Sequence, residues 1–262
     1  MKPRAKKKLG QHFLERVWAE KVVTAIDPQP TDRFVEIGPG PGALTLLLAP
    51  RIAHLTAIEV DADMIDALRP RIPGNVRLVH ADFLDIDLES LAIPPPFRVA
   101  GNLPYNVSSP ILFALLRAHR TQGGLADATL MVQREVAARI SAEPGSKDYG
   151  VVSILVQLHA DVRRIVALPP GAFRPPPKVH SAVLALRFRP PAVTLTDEPA
   201  FESMVRTVFT QRRKTLLNAL RPFATARGRD AGRALADAGI DPSRRPETLH
   251  LGELARLADR FA

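Results

Sequence analysis

The stretch Arg33-Phe34-Val35-Glu36-Ile37-Gly38-Pro39-Gly40-Pro41-Gly42-Ala43-Leu44-Thr45-Leu46-Leu47-Leu48 decides the fold. Its first five residues read as a buried strand, the glycines as a tight turn, and the spacing of apolar residues over 43–48 as a helix. Strand, glycine-rich turn and helix start in this order let a backbone approach a nucleotide-like ligand closely. A second strand at 55–58 ends in Glu59, 21 positions after Gly38. An acid about 20 residues on is the one expected to hold ribose hydroxyls. A helix over 62–71 and a third strand at 76–79 follow, running into Asp82 and Phe83. Asp82 is either the cap of the next turn or an acceptor for the amine of a bound adenine, with Phe83 or Leu84 beside the ring. Its place at a third consecutive strand end favours the ligand reading.

The fourth strand, at 97–100, delivers Gly101-Asn102-Leu103-Pro104-Tyr105-Asn106. The Asn102 side-chain oxygen and the Leu103 carbonyl can each accept from an exocyclic NH2. Pro104 fixes the turn and carries no competing donor, and Tyr105 offers a stacking face. Such a group holds an amino group on a flat heterocycle, such as N6 of adenine. Asn and Pro are also ordinary turn residues, so the rest of the chain has to supply the cofactor and the nucleic acid.

The glycine pattern helps to choose the cofactor. A pyrophosphate needs backbone N–H donors at the first helix, and Pro39 and Pro41 remove two of them. Glu36, Glu59 and Asp82 along one sheet edge suit a cation, and S-adenosylmethionine, with its sulfonium and ammonium, is that cation. No metal site is expected: there is no cysteine, so no thiolate ligand.

Further strands are expected at 128–132, 151–158 and 179–188, the first two separated by a helix opening at Gln133. The proline-rich stretch 168–178 between the last two reads as a stiff loop. Its Phe173 is either a core anchor or a second stacking face opposite Tyr105. Before the first strand, a basic arm with Lys6, Lys7 and Lys8 leads to Gly10-Gln11-His12-Phe13-Leu14 and a helix over 16–26. Beyond a linker at 189–191 the pattern is all-helical, over 199–210, 211–220, 230–238 and 251–261. The expected domains are 1–189, the arm plus a Rossmann-like α/β domain, and 190–262, a small basic helical domain.

Net charge is segregated: residues 1–33 carry 8 Lys+Arg against 4 Asp+Glu, residues 34–186 carry 14 against 14, and residues 187–262 carry 14 against 9. A neutral body with basic ends suits a polyanion. The phosphate-binding candidates are Lys6, Lys7 and Lys8 in the arm, Arg174 and Lys178 in the proline loop, and Arg212, Arg213 and Lys214, expected at the start of a helix. No apolar run is long enough to span a membrane, and no apolar segment follows the basic start, so a cytoplasmic address is expected.

These stretches together are similar to a known family. The chain resembles the ribosomal RNA adenine dimethyltransferases, and among them the bacterial small-subunit branch. The resemblance rests on GQHFL (10–14), VEIGPGPGALT (35–45), IEVD (58–61), ADFL (81–84), GNLPYN (101–106), FRPPPKVHSAV (173–183) and QRRKTL (211–216). It implies a seven-stranded Rossmann-like methyltransferase domain followed by a helical domain. It also implies transfer of methyl groups from S-adenosylmethionine to N6 of two adjacent adenosines near the 3′ end of 16S rRNA, by a monomer acting on the immature 30S subunit. Carried over by position, the cofactor residues are His12, Leu14, Gly38, Glu59, Asp82 and Asn102, to which the loop geometry adds Gly40 and the third strand end adds Phe83. The family often has Asn where His12 stands; either side chain can hydrogen-bond a ligand. The catalytic group is Asn102, Leu103, Pro104 and Tyr105, with Phe173 as the open case. Relatives that methylate large-subunit RNA, and a non-catalytic assembly factor, are the alternatives.

Overall fold

The computed structural model describes residues 5–6 and 9–262; Lys7 and Lys8 of the expected phosphate-binding set lie outside the described residues. The chain forms two compact units, residues 1–137 with 161–188, and residues 138–160 with 189–262.

The first unit is built on a seven-stranded sheet. Its strands are β2 (Arg33–Ile37), β3 (His54–Glu59), β4 (Val76–His80), β5 (Phe97–Asn102), β6 (Leu125–Gln133), β7 (Ala160–Leu168) and β9 (Ser181–Phe188), in the order β4-β3-β2-β5-β6-β9-β7. From β4 to β6 neighbours are parallel, and β9 runs antiparallel to β6. The order turns around between β2 and β5, the place where open α/β sheets leave a crevice at the carboxyl ends of their strands.

β2 is apolar enough to be covered on both faces: Phe34, Val35 and Ile37 are buried, and so are Leu55, Ala57 and Ile58 beside it and Val99 and Ala100 on its other flank. At the amino ends of the strands, Arg98 pairs with Asp32 and Asp127 at 2.7 and 2.9 Å and donates to the Ile26 carbonyl at 2.8 Å. This ties β5 and β6 to the end of α1 (Arg16–Ile26). At the carboxyl ends β5 comes so close to β2 that a Cβ on Gly101 would lie 2.9 Å from the Ile37 carbonyl oxygen. Only glycine lets the strand deliver Asn102 at that height.

The helices α2 (Thr45–Leu48), α3 (Ala62–Leu68) and α4 (Ser108–Thr121) follow β2, β3 and β5, and α5 (Arg134–Ile140) follows β6 across the division between the units. A second, two-stranded sheet joins β1 (Phe13–Leu14) to β8 (Phe173–Arg174), pairing Phe13 with Arg174 and Leu14 with Phe173. It brings the GQHFL stretch onto the proline-rich loop.

In the second unit, α6 (Val151–His159) accompanies α7 (Glu198–Thr210), α8 (Leu216–Thr225), α9 (Ala231–Asp237) and α10 (Leu251–Ala258). Asp197 and Asp230 cap α7 and α9, accepting from Ala200 N and Arg233 N at 2.9 and 2.7 Å, as short polar side chains do at helix starts. Phe201, Met204, Val208, Leu220, Leu235 and Leu257 form its apolar interior.

The expected strand over 151–158 is corrected: it is α6, and the missing strand is β7. An apolar, β-branched run of that length fits a buried strand or a buried helix equally. The β7 sequence, with Asp161, Arg163 and Arg164, was masked by its place at the sheet edge, where one face is left polar.

Candidate active site

The carboxyl ends of β2, β3 and β5 and the segment 9–14 enclose a cavity lined by Leu9, Gly10, Gln11, His12, Phe13, Leu14, Glu36, Gly38, Gly40, Glu59, Val60 and Asn102 to Tyr105. An adjoining hollow shares Leu9, Gly38, Glu59, Val60 and Pro104 with it and adds Asp82, Phe83 and Ile111. Of the expected cofactor residues, His12, Leu14, Gly38, Gly40, Glu59 and Asn102 line the first space, and Asp82 and Phe83 the second.

The turn after β2 takes its shape from glycine. Gly38 and Gly40 have φ of +65° and +53°, left-handed backbone that costs a side-chain-bearing residue about 1 kcal/mol or more. Gly40 N–H then donates to Glu59 Oε2 at 2.9 Å, while Glu59 Oε1 accepts from Asp61 N at 2.9 Å. Each carboxylate oxygen keeps a second lone pair for a ligand hydroxyl. Glu36, beside it on β2, accepts from Thr45 Oγ1 at 2.7 Å. Burial pushes the Glu36 carboxyl up to about 7; the Glu59 charge adds to this and the Thr45 bond opposes it. Burial also raises Glu59, against the bonds from Asp61 and Gly40. Neither carboxyl has an ion-pair partner among the described residues: Lys6 goes instead to Asp61 and Asp63, at 2.6 Å each. Two buried acids facing one cavity without a countercharge are suited to a cationic guest. The residues present therefore fit the sulfonium and ammonium of S-adenosylmethionine. In the second hollow Asp82 Oδ1 accepts from Leu84 N at 2.9 Å, so the capping role is real and leaves the other carboxylate oxygen for a ligand.

The catalytic stretch is held from three sides. Asn102 Nδ2 donates to the His12 carbonyl at 2.7 Å, and because a carbonyl only accepts, this contact fixes which way the amide points. Oδ1 is the half left to accept, and neither it nor the Leu103 carbonyl has a donor among the described residues. Leu103 N–H is used on Met131 O at 3.1 Å. The Tyr105 hydroxyl meets Ser181 Oγ at 2.7 Å, and burial raises its pKa despite that bond. The His12 ring stacks on Tyr105 with centroids 5.5 Å apart and planes at 24°. Its Nδ1 lies 2.7 Å from the Pro175 carbonyl, which makes Nδ1 the protonated nitrogen.

The structure decides Phe173, which the sequence left open, and corrects the expectations for the 211–214 cluster and for Lys6. Phe173 is fully buried among Leu14, Val22, Val23 and Val183; paired with Leu14 on β8, it is a core anchor and offers no face to a base. The cluster Gln211 to Lys214 lies in the turn between α7 and α8, not in a helix; Thr215, at the helix cap, marks where α8 starts. Within it Arg212 is already engaged, donating to the Lys147 carbonyl at 2.8 Å and standing 3.7 Å from Glu247, while Arg213 and Lys214 are exposed. Lys6 is likewise committed to its two aspartates. Arg174 is exposed and paired with Glu15 at 3.0 Å, and Lys178 is exposed.

Sequence reasoning missed Gln11, Asp61 and Ser181. Asp61 accepts from Gln11 Nε2 at 2.9 Å as well as from Lys6, latching the segment 9–14 over the cavity. Both stretches are motif residues, but no local pattern announces a pair 50 positions apart. Among the described residues no group of His, Asp and Glu is placed to hold a metal ion, and no helix is long and apolar enough to cross a membrane.

A seven-stranded sheet with its crevice at the β2/β5 switch, acids at successive strand ends and an Asn-Leu-Pro-Tyr turn over the cavity defines a Rossmann-like methyltransferase. The comparison with known proteins narrows this class. The chain belongs to the ribosomal RNA adenine dimethylase family, whose model matches residues 2–262. It is 44% identical over 261 residues to the ribosomal RNA small subunit methyltransferase A of Syntrophotalea carbinolica, covering 98% of this chain and 97% of that one. The crystal structure of a dimethyladenosine transferase from Plasmodium falciparum superposes with a TM-score of 0.80 at 25% identity, over 94% of this chain and 96% of the other. That of the 23S rRNA methyltransferase ErmE gives 0.69 at 27% identity, over 95% and 99%.

Proposed function

We propose that this chain transfers methyl groups from S-adenosylmethionine to N6 of two adjacent adenosines near the 3′ end of 16S rRNA, two per base, acting as a monomer on the immature 30S subunit in the cytoplasm. The observation that carries the reading is the Asn102 amide, its NH2 tied to His12 O and its Oδ1 left to accept, at the mouth of a cavity lined by two buried, unpaired acids. The identity to small-subunit methyltransferases over nearly the whole chain supports this substrate over the large-subunit one.

S-adenosylmethionine supplies a methyl group on a positively charged sulfur. Glu36 and Glu59 would hold its positive end and its ribose, and Asp82 its adenine amine. An adenine N6 is a poor nucleophile because its lone pair is delocalised into the ring. In the first transfer Asn102 Oδ1 and the Leu103 carbonyl would accept both N6 hydrogens, and in the second the one that remains, which favours a tetrahedral nitrogen and turns its lone pair towards the methyl carbon. Orientation and preorganised dipoles are the main terms. Tyr105, held by Ser181, gives the extruded base a stacking wall. As the N–C bond formed, the methyl–sulfur bond would break with its electron pair left on the neutral sulfur of S-adenosylhomocysteine; the cationic nitrogen would pass its extra proton to water, so no strong base and no covalent enzyme intermediate are required. Lys178, Arg174, Arg213 and Lys214 are the exposed cations offered to phosphates.

The test is methyl transfer from labelled S-adenosylmethionine to immature small subunits, large subunits and duplex DNA in parallel, with the modified bases mapped. Label on two adjacent small-subunit adenosines is expected. Label on large-subunit RNA alone would overturn the substrate, and binding of S-adenosylmethionine without transfer to any of the three would overturn the activity.

A further inference from the structure

A groove of about 910 Å³ adjoins the catalytic cavity and shares Phe13, Leu14, Pro41 and Ala43 with it. Of its lining, the reading above uses only Leu14, for the cofactor, and Arg174, offered to phosphates. Its walls carry Phe13, Leu46 and Leu47, apolar side chains that are only half-buried, and the exposed Arg16, Arg71 and Arg174. Glu15 is the one carboxylate among the groove's lining residues, and Glu20, outside that lining, pairs with Arg16. The arginines are held loosely: Arg16 and Arg174 pair with Glu20 and Glu15 through Nε, at 2.9 and 3.0 Å, and Arg71 donates Nη1 to the Pro41 carbonyl at 2.9 Å. Exposed ion pairs of this kind contribute little and yield to a stronger anion, and each guanidinium keeps an Nη2 group for one.

The two adjoining spaces thus have opposite electrostatics. Buried carboxyls line the catalytic cavity and draw a cation; guanidinium groups rim the groove and draw an anion. An anion with flat, partly apolar units is what an apolar wall and an arginine rim accommodate together, and a single RNA strand has that chemistry. We infer that this groove docks the nucleotide next to the target adenosine, its base against Phe13, Leu46 and Leu47 and its phosphates on Arg16, Arg71 and Arg174. This assignment rests on the proposed RNA substrate. It gives the enzyme a hold on the strand beside the flipped base, so that part of the orientation at Asn102 is set by phosphate contacts.

The experiment uses the full chain and a small-subunit RNA fragment containing the adjacent adenosines. Binding is measured without cofactor over a range of salt for the wild type, Arg16→Ala/Arg71→Ala and Arg16→Lys/Arg71→Lys. Losing two single-strand phosphate contacts should lower the slope of log affinity against log salt by about 1.4 and weaken binding roughly tenfold at low salt. The Lys pair should keep the slope, and S-adenosylmethionine affinity should be unchanged in both. An unaltered slope in the Ala pair would overturn the inference. So would lost transfer to ribosomal particles with RNA binding intact, which would assign the groove to a protein. If the wild type shows the slope and the Ala pair loses it, yet no ribosomal RNA is methylated, the groove stands and the proposed reaction fails.

Discussion

Glu36→Gln separates a buried acid that waits for a cation from one that is merely part of the core. The carboxyl is raised from its ordinary 4.5 to about 7, which corresponds to about 3 kcal/mol of penalty for ionising it in the folded chain. Below pH 4.5 the folded and unfolded chains both hold the proton. Between 4.5 and about 7 only the folded chain does, so stability falls as pH rises through this window and levels off above it. Gln at this position can still accept from Thr45 Oγ1, but its NH2 brings donors that need partners, at a cost of about 1–3 kcal/mol. At low pH the variant is therefore less stable by about that amount, and the informative quantity is the difference between variant and wild type along the pH axis. That difference should swing by about 3 kcal/mol in favour of the variant between pH 5 and 8. At ~2–4 °C per kcal/mol for a domain of this size, the melting curves should cross or separate by roughly 6–12 °C without ligand.

The same carboxyl should report the cofactor. A cation beside Glu36 favours the ionised form, so S-adenosylmethionine binding near pH 6 should expel a proton and tighten as pH rises towards 7. Calorimetric titrations in two buffers of different ionisation enthalpy read the proton directly. S-adenosylhomocysteine, which lacks the sulfonium charge, should expel less, and Glu36→Gln should abolish the difference. Parallel melting curves for variant and wild type from pH 5 to 8, together with buffer-independent binding heats, would refute the reasoning.

Asn102→Ala should lower kcat by about 100-fold or more and leave RNA affinity nearly intact in equilibrium titration; equal loss in both would remove Asn102 from the reacting nitrogen. Phe173→Ala should cost about 3–5 kcal/mol in urea unfolding, and Phe173→Leu should recover most of the stability together with turnover. A stacking residue would lose turnover in both variants at unchanged stability. Arg213→Ala/Lys214→Ala should flatten the salt dependence of RNA binding without moving the melting temperature, whereas Arg212→Ala, which frees the Ser146 and Lys147 carbonyls, should lower it.

Most of the first unit was legible because its inner strands, β2, β3 and β5, are largely buried and read as apolar runs between turn residues. The bounds of α1 and β2 follow the sequence reading residue for residue, since Asp27-Pro28 ends the helix and Gly38 ends the strand. Residue spacing also brought out the acids at strand ends, because a strand places its last residue at a fixed edge of the sheet. What it could not supply was which apolar run is which. The stretches 151–159 and 160–168 have the same length, yet the more hydrophobic one is the helix: it is buried nearly all round, while the strand lies at an open edge.

The contacts that tune the site were illegible for a different reason. Asn102 is oriented by a backbone carbonyl 90 positions away, and His12 and Tyr105 are fixed by Pro175 and Ser181 across 163 and 76 positions. None of these partners is chosen by its own local pattern; they meet because β1 pairs with β8 and β9 begins beside β6. The pairing that buries Phe173 also fixes Arg174 at the rim of the groove, so one two-residue strand settles two questions about the proline-rich stretch. Phe173 belongs to the core that holds the catalytic turn in place, and the residue beside it faces outward with its charge. The alternation of a β-strand, which sends neighbouring side chains to opposite faces, thus divides the FRPPP stretch between stability and substrate contact at its first two residues.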